Sequence, residues 1–361
     1  MRILFVTSNL LNAKNGGWQC SNRNFESIKE LSSVIDTYHV VPNSTELNLK
    51  GIFMGIKNIL GFYSGGINKN HIELIKKQIS QKNYQVIFFD SSVYGRLVKE
   101  IKKDFPHIRL ISFFHNVETD FIKKLVYSGS LFHIFRIPSC FLNEFLTTKW
   151  SDQLICLTEE DGRLIKKLYG KNEIAKIPIS FKASEIENKH AKPSNENVLS
   201  ILFVGSFFYA NVQGIKWFID NVKLPVNSRL LIVGKDMDRF SKYVANMENV
   251  EIHSNVDNLS EYYHRAHVVV CPLFYGGGMK VKVAEALMYG KKIIGTDLAF
   301  YGYKANQCRS MNQVSTAEEF IRCIEMLNPE EKYFEESVGH FNRYFSYTAT
   351  LKLFREVLIK E

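Results

Sequence analysis

The sequence of 361 residues predicts an α/β protein with two doubly wound, parallel-sheet domains that follow one another along the chain. Short apolar runs rich in β-branched and aromatic residues alternate with longer amphipathic segments, which is typical of repeated βαβ units. A polar stretch at 181–197 interrupts this alternation once, after which it starts again. The length also suits two cores, because single domains hold about 100–200 residues. We therefore expect two domains that face a central cleft.

The first domain is predicted to cover residues 1–180. Its strands are the apolar runs at 2–8, 84–90, 109–115 and 152–158. Helical patterns such as SNRNFESIKELSSVI (21–35) and SVYGRLVKEIKKDF (92–105) lie between these runs. Strands that alternate with helices of this length predict parallel βαβ units.

The second domain is predicted at 198–339, after a linker at 181–197. Its strands are the runs at 199–206, 229–235, 250–256, 267–273 and 291–297. The last segment, 340–361, is predicted to be a helix that packs back across the first domain. Because doubly wound sheets bind their ligands at the carboxyl ends of the strands, we expect the binding site in the cleft between the halves.

Composition argues against a membrane-spanning protein and against a secreted protein. Hydrophobic content of 45% and charged content of 23% are those of a soluble globular chain. The sequence has no apolar run of about 18 residues, and MRILFVTSNLLN at the start reads as a strand rather than a signal peptide. The six cysteines form no CxxC pair, which indicates reduced thiols. These features predict a cytoplasmic protein.

Positive charge is concentrated in the first half. Residues 1–180 hold 24 Lys/Arg against 16 Asp/Glu, while the rest of the chain holds 22 against 21. Such an excess indicates an anionic partner, or it is only a solvated basic surface. The segments 120–150 and 51–66 combine apolar and basic residues. They are predicted either to lie peripherally on the inner face of an anionic cytoplasmic membrane or to pack as buried helices.

Two binding classes are disfavoured by missing motifs. Neither half has a GxGxxG sequence after its first strand, which argues against a dinucleotide-dependent oxidoreductase. Basic and aromatic residues do not interleave on any nucleic-acid-binding module, so we expect no nucleic-acid partner.

The stretch CPLFYGGGMKVKVAEALMYG (271–290) carries the clearest chemistry. Its three glycines stand between a predicted strand and a predicted helix, where free N–H groups and the helix dipole form an anion site. Glycine lets a phosphate approach the backbone, and Lys280 adds a full charge. A carboxylate such as Glu285 accepts two hydroxyl hydrogen bonds, which suits a ribose diol. The pattern favours a nucleotide; a tight structural turn with a surface glutamate is the alternative.

This segment resembles the C-terminal signature of the family-4, GT-B-fold retaining glycosyltransferases, the "glycosyl transferases group 1", whose fold has two Rossmann-like domains. Other parts of the chain resemble the family in the same order along almost the whole length. They are the Gly16-Gly17 loop, FFHNVE (113–118), SDQLICLTEEDGRLIKKLYG (151–170), FVGSFFYANVQGIKWF (203–218) and VVVCPLFYGGGMKVKVAEALMYGKKIIGT (268–296).

The resemblance implies roles for individual residues. Glu285 is expected to hold the donor ribose. Lys280 and the glycine loop are expected to hold the donor diphosphate, so that Lys280 acts on the leaving group. His115 is expected to contact the donor sugar near the reacting carbon. The remaining expected donor-binding residues are Gly16, Gly17, Asn211, Val256, Gly276, Gly277, Gly278 and Met279.

One departure from the family pattern concerns the sugar. Relatives often have a second glutamate eight positions before the first, and here that position is Gly277. The sugar therefore cannot be inferred from relatives that have this glutamate.

The resemblance implies transfer of a sugar, with retention of configuration, from a nucleotide-diphosphate sugar to a glycan or lipid-linked glycan in bacterial surface polysaccharide synthesis. No cofactor and no essential metal are expected, because helix N–H groups and Lys280 are expected to take the role that a divalent ion plays elsewhere. The alternatives are a non-catalytic nucleotide-sugar or glycan-binding protein and a nucleotide-sugar 2-epimerase.

Overall fold

The computed structural model of the protein describes residues 1–11, 16–41, 61–127, 131–172, 174–182 and 198–359. The chain divides into two compact units. The first contains Met1–Pro178 together with Thr350–Glu361, and the second contains Ile179–Ala349. The predicted linker at 181–197 lies almost wholly outside the described residues. Within the described ranges, none of the helices combines the length and the apolar character needed to cross a bilayer.

The first unit is built on a parallel six-stranded sheet in the order β2-β1-β3-β4-β5-β6. Its strands are β1 Arg2–Thr7, β2 Val34–His39, β3 Val86–Phe89, β4 Arg109–Phe114, β5 Gln153–Cys156 and β6 Ile174–Lys176. The strand order reverses between β1 and β3. In a doubly wound sheet, such a reversal opens a crevice at the carboxyl ends of the two strands.

Helices connect these strands. They are α1 Gly16–Leu31, α2 Lys69–Gln81, α3 Gly95–Asp104, α4 Glu118–Tyr127, α5 Ile137–Trp150 and α6 Glu159–Tyr169. The central strands are buried on both faces, as parallel strands covered by helices should be. Their fully buried rings pack in a row: Phe5 stacks on Phe88 with 5.3 Å between ring centroids, and Phe88 lies 6.3 Å from Phe113.

The second unit has a parallel six-stranded sheet in the order β12-β11-β10-β7-β8-β9. Its strands are β7 Leu199–Val204, β8 Ser228–Gly234, β9 Val250–Ser254, β10 Val268–Cys271, β11 Lys292–Gly295 and β12 Met311–Gln313. Its helices are α7 Tyr209–Asn221, α8 Ser241–Val244, α9 Ser260–Arg265, α10 Val281–Met288, α11 Ala317–Glu325 and α12 Glu335–Tyr344. This is the Rossmann strand order, with its switch point between β7 and β10.

All nine predicted strands are present, and three further strands were not predicted. One of them corrects the predicted helix at 21–35, because α1 ends at Leu31 and β2 begins at Val34. The edge strand β2 is exposed or half-buried along its whole length. Its sequence VIDTYH therefore lacks the continuous apolar run that marks the buried strands.

The predicted C-terminal helix is two helices. The segment breaks at Phe345 and Ser346, after α12, and continues as α13 Tyr347–Ile359. From Thr350 onwards α13 belongs to the first unit, as predicted for the end of the chain. The Arg109 guanidinium anchors it there by donating to the carbonyl oxygens of Val357 at 2.6 Å and Leu358 at 3.1 Å.

Candidate active site

The predicted donor-site residues of the second unit meet at its switch point. Asn211 lies in the first turn of α7, which follows β7, and Lys282 lies in the first turn of α10, which follows β10. The Lys282 ammonium donates to Asn211 Oδ1 at 2.9 Å. Because β7 and β10 are neighbours in the sheet, this bond joins the two helix N-termini that flank the crevice.

The glycine loop needs glycine for conformational reasons. Gly276 has φ of +110° and Gly278 has φ of +64°, values that residues with side chains rarely adopt. A Cβ atom added at Gly276 would have no heavy atom within 4 Å, so the space beside this residue is open. Met279 is 9% exposed and anchors the end of the loop in the core. The loop is thus held at one end and accessible in the middle.

Lys280 binds its own loop. Its ammonium donates to the carbonyl oxygens of Gly277 at 2.9 Å and Gly278 at 2.6 Å. In a planar trans peptide, the C=O and the following N–H point in opposite directions. The N–H groups of Gly278 and Met279 therefore point away from the ammonium. The fully buried Tyr303 adds a further restraint by donating its hydroxyl to the Lys280 carbonyl at 2.7 Å.

Glu285 is half-buried on α10 and oriented by a tyrosine. The Tyr263 hydroxyl donates to Glu285 Oε2 at 3.2 Å, and the fully buried Tyr263 ring stacks on Tyr289. Burial, reinforced by the Glu285 carboxylate, holds the pKa of Tyr263 well above its ordinary value. Tyr263 therefore stays protonated and remains a hydrogen-bond donor to the carboxylate.

Lys282 was not among the predicted site residues. Its ammonium lies 4.5 Å from the centre of the Phe203 ring, and burial lowers its pKa. The sequence spacing could have identified Lys282, because Lys282 and Glu285 are three residues apart and therefore lie on one face of the predicted helix. The crevice thus holds a partly desolvated cation in addition to Lys280.

The other predicted residues also lie at carboxyl ends of strands. Val256 follows β9 in the second unit, just after Asn255, whose φ is +53°. Gly16 and Gly17 are the exposed first residues of α1 in the first unit, while residues 12–15 are outside the described ranges. The predicted site is therefore divided, with Gly16, Gly17 and His115 in the first unit and the rest in the second.

His115 follows β4 and belongs to a buried polar cluster. Its Nε2 lies 3.0 Å from Oδ1 of Asp90, which follows β3 and is fully buried. Asp90 also accepts from Thr7 Oγ1 at 2.8 Å and from Asn24 Nδ2 at 3.0 Å. The cluster therefore joins the carboxyl ends of β1, β3 and β4 with α1.

The electrostatics of this cluster favour an ion pair. Burial alone would raise the pKa of Asp90, but the His115 imidazolium and the hydrogen bonds outweigh burial and lower it. Burial would likewise lower the pKa of His115, but the Asp90 carboxylate outweighs it and holds that pKa well above its usual range. The ring is 16% exposed, so a charged imidazolium is presented at the edge of the sheet.

A thiol lies beside the same imidazolium. Although burial opposes ionisation of Cys20, the His115 imidazolium and the Arg23 guanidinium lower its pKa. Arg23 Nη2 lies 3.6 Å from the Cys20 sulfur. The sequence prediction missed Cys20, Asp90 and Asn24. Of these three residues, only Asp90 could have been recognised from the sequence, because it is the single acidic residue and ends the apolar run YQVIFFD.

Among the described residues, no three His, Cys, Asp or Glu side chains are grouped so as to hold a metal ion. The buried His267 has a structural role. It accepts from the Ser200 amide through Nδ1 at 2.9 Å, and its Nε2 lies 2.9 Å from the Pro329 carbonyl. Burial lowers its pKa to about 4, so the ring stays neutral at neutral pH.

Comparisons with known proteins agree with this geometry. The family described as glycosyl transferases group 1 matches residues 199–327, which include both loops at the switch point. Among curated proteins, no sequence match is found. Sucrose-phosphate synthase from Thermosynechococcus elongatus has a similar structure, with a TM-score of 0.74, 14% identity and 100% of each chain covered.

Two further similar structures are a glycosyltransferase and a complex with UDP-glucose. WaaG, described as a glycosyltransferase involved in lipopolysaccharide biosynthesis, has a TM-score of 0.69 and 14% identity over 99% of this chain and 100% of its own. HepE from Anabaena, in complex with UDP-glucose, has a TM-score of 0.66 and 10% identity over 100% of both chains. The structural likeness shows the two-domain GT-B fold, and residues 199–327 match the family described as glycosyl transferases group 1.

Proposed function

We propose that the protein transfers a sugar from a nucleotide-diphosphate sugar to a glycan or lipid-linked glycan acceptor, with retention of anomeric configuration, in bacterial surface polysaccharide synthesis. The switch-point crevice of the second unit is the observation that carries this proposal. There, an open glycine loop, two lysines and an oriented carboxylate lie on adjacent strand-to-helix connections.

The loop and the carboxylate suit different parts of a nucleotide. The N–H groups of Gly278 and Met279 point away from Lys280 and lie near the N-terminus of α10, where an anion is favoured. Glu285 lies further into the same helix and suits the two hydroxyls of a ribose. Val256, after β9, is proposed to lie near the base.

During transfer, the bond between the anomeric carbon and the diphosphate oxygen breaks while the acceptor's hydroxyl oxygen bonds to that carbon, and the hydroxyl proton passes to the departing diphosphate. Negative charge grows on the departing diphosphate. Donors that are fixed before the reaction stabilise such charge most effectively. The bonds from Lys280 to its own loop fix the loop amides, and Lys282 supplies a second positive charge to the crevice. His115 is proposed to donate from its charged ring to the donor sugar.

The structural neighbours support the substrate classes. HepE binds UDP-glucose, which favours a nucleotide-sugar donor for this chain. WaaG acts in lipopolysaccharide biosynthesis, which favours an acceptor of the bacterial surface.

An incubation of the purified protein with a panel of nucleotide sugars, in excess EDTA, tests the function. We expect one donor to be hydrolysed slowly without acceptor, with release of a nucleoside diphosphate and a sugar of unchanged anomeric configuration by NMR. We expect full activity in EDTA, because loop amides and lysines take the role of a divalent ion. Loss of activity that magnesium restores would contradict the metal-independent mechanism.

The same panel separates the alternatives. Binding of a nucleotide sugar without turnover of any donor would favour a non-catalytic binding protein. Conversion of the donor to the nucleotide sugar that is its 2-epimer would favour a nucleotide-sugar 2-epimerase. Either outcome would overturn the proposed transfer.

The exposed apolar side chains of the first unit support a membrane-associated cytoplasmic location. The segment 120–150 exposes apolar residues beside basic ones: Tyr127, Ile134, Phe135, Phe141 and Phe145 have exposed fractions between 39% and 87%. Residues 51–60 of the second apolar segment lie outside the described residues. Apolar side chains that insert next to cations are typical of proteins that lie on anionic bilayers.

We therefore expect the protein to co-sediment with anionic phospholipid vesicles and to be released by salt. Salt acts because exposed charges are screened beyond about 8 Å at physiological ionic strength. Phe135→Ser is expected to weaken co-sedimentation, whereas Val226→Ser, which changes an exposed residue of the second unit, is not. Equal binding to neutral and anionic vesicles would argue against an electrostatic contribution, and no binding to either would remove the membrane from the proposal.

A further inference from the structure

The first unit contains a cavity of about 270 Å³ that no step of the proposed transfer uses. It lies between the N-terminal turns of α2 and α3 and the middle of α5. Its walls include Tyr63, Lys69, Arg96, Lys99, Leu142 and Leu146. In a βαβ unit the helices run antiparallel to the strands, so their N-termini lie at the carboxyl edge of the sheet. The cavity is therefore on the same edge of the sheet as His115.

The cavity has an excess of positive charge. Three basic side chains and two acidic ones, Glu73 and Glu100, line it. The Lys76 ammonium, which is not part of the lining, lies 3.3 Å from Glu100 and 2.8 Å from Asp104. Three cations against two carboxylates leave one net positive charge in the lining. Two of the three cations, Lys69 and Arg96, lie in the first turn of a helix, where the dipole favours an anion.

Arg96 is the best-placed residue to bind an anion. Its guanidinium lies 5.2 Å from the centre of the Tyr63 ring, and its Nε is buried without a hydrogen-bond partner among the described residues. A buried polar group of this kind normally has a partner. The planar guanidinium also presents donors in a geometry that matches the oxygens of a phosphate.

The wall that orients Arg96 is built into the fold. Asn143 accepts from the Arg96 amide at 3.1 Å and donates to the Phe62 carbonyl at 2.8 Å. Ser139 donates to the Tyr63 carbonyl at 3.2 Å. The two helices meet closely here, because a Cβ at Gly95 would come within 1.9 Å of the Asn143 carbonyl oxygen. The backbone that carries Tyr63 and Arg96 is therefore held in place by α5.

The remaining lining is apolar. Ile72 is 5% exposed, and Leu142 and Leu146 complete the floor beside the Tyr63 ring. A free inorganic anion would leave these groups without a partner, whereas an anion that carries a hydrocarbon chain would contact both parts of the cavity.

We propose that this cavity binds a phosphate attached to a hydrocarbon chain, and that this ligand is the phosphate end of a lipid-linked acceptor. The identification of the ligand as the acceptor rests on the proposed function. The binding of an alkyl phosphate rests only on the cavity.

The test is calorimetric titration of the full-length protein with octyl phosphate, inorganic phosphate and octyl glucoside. Octyl phosphate is expected to bind, inorganic phosphate to bind more weakly, and octyl glucoside not to bind. Arg96→Gln and Lys99→Gln are each expected to weaken octyl phosphate binding by about tenfold or more, as expected for a lost charge-assisted hydrogen bond. Lys103→Gln, which removes an exposed cation from the same helix outside the cavity, is the matched control and is expected to change nothing.

Two binding results would overturn the proposal. Parent-like affinity for octyl phosphate in both Arg96→Gln and Lys99→Gln, at matched melting temperatures, would exclude the cavity. Equal affinity for inorganic and octyl phosphate would assign the cavity to a free phosphate group and exclude the lipid.

Donor hydrolysis by the same variants separates this proposal from the proposed function. We expect Lys103→Gln to hydrolyse the donor as the parent does. A parent that turns over no donor but binds octyl phosphate through Arg96 would refute only the transferase assignment. A parent that turns over donor without binding octyl phosphate would refute only the cavity.

Discussion

Replacing Glu285 with alanine is expected to raise the donor KM by about 10- to 150-fold while kcat changes little. The carboxylate is proposed to hold the ribose, a part of the donor that does not react. Loss of a hydrogen bond to a charged group costs about 1.5–3 kcal/mol. When such an interaction is equally strong in the ground state and the transition state, its loss appears in KM. Steady-state kinetics with varied donor at saturating acceptor measure both constants.

Two further variants test whether the rise in donor KM is specific to the Glu285 carboxylate. Tyr263→Phe removes the hydroxyl that orients Glu285 at 3.2 Å, so a smaller rise in KM is expected. Glu325→Ala removes an exposed carboxylate at the end of α11 and is expected to leave both constants unchanged. An unchanged KM in Glu285→Ala, with the melting temperature of the parent, would refute the ribose assignment.

Lys280 should behave differently from Glu285. Its ammonium fixes two carbonyls of the loop whose amides are proposed to face the leaving diphosphate. Negative charge on that group grows only as the bond breaks, so interactions with it are strongest in the transition state. Lys280→Ala is therefore expected to lower kcat at saturating donor. A rise in KM alone would place Lys280 with the ground-state binding groups.

The sequence predicted those elements whose signal is local. Buried parallel strands such as β3 and β4 are continuous apolar runs, and their burial on both faces makes this pattern unambiguous. The edge strand β2 and the short strands β6 and β12 lack that pattern, because edge and three-residue strands bury too little to require it. Their positions follow from pairing with a distant strand, which a local pattern does not encode.

The same distinction applies to the site. The glycine loop, Lys280 and Glu285 are close in sequence and were predicted together. Asp90 and Tyr263 act on His115 and Glu285 from 25 and 22 residues away in the chain. Their roles depend on the order of strands in each sheet, which the sequence pattern left open. The resemblance to a family identified the residues of the motif but not the residues that orient them.

Asp90→Asn is expected to have the largest effect on stability. It removes the charge opposite His115 in a buried ion pair, and loss of one partner of such a pair costs about 3–5 kcal/mol. Because the folded state raises the pKa of His115, that group's stabilisation is complete below its ordinary pKa of 6.5 and is lost as pH rises through the higher folded value. Because the folded state lowers the pKa of Asp90, its stabilisation is present above 3.8 and is lost as pH falls through the lower folded value.

The difference in unfolding free energy between the parent and Asp90→Asn should therefore be largest between about pH 4 and 6.5 and should shrink as the pH rises through the raised pKa of His115. Urea unfolding at several pH values measures it. Asp120→Asn is the matched control. Its carboxylate forms a partly exposed pair with Lys124 at 2.8 Å, and such pairs contribute only about 0.3–0.5 kcal/mol.

The activity of the same variant tests what the imidazolium does. Burial lowers the pKa of His115, and the Asp90 carboxylate raises it. Without that carboxylate, the pKa of His115 is expected to fall. If the charged ring donates to the donor sugar, kcat/KM of Asp90→Asn should drop by about 100-fold or more at neutral pH and recover partly as pH is lowered. NMR titration of the His115 ring locates its pKa in both proteins. A purely structural role for the pair would lower the melting temperature but leave the pH profile of the folded enzyme in place, and that result would remove His115 from the catalytic groups.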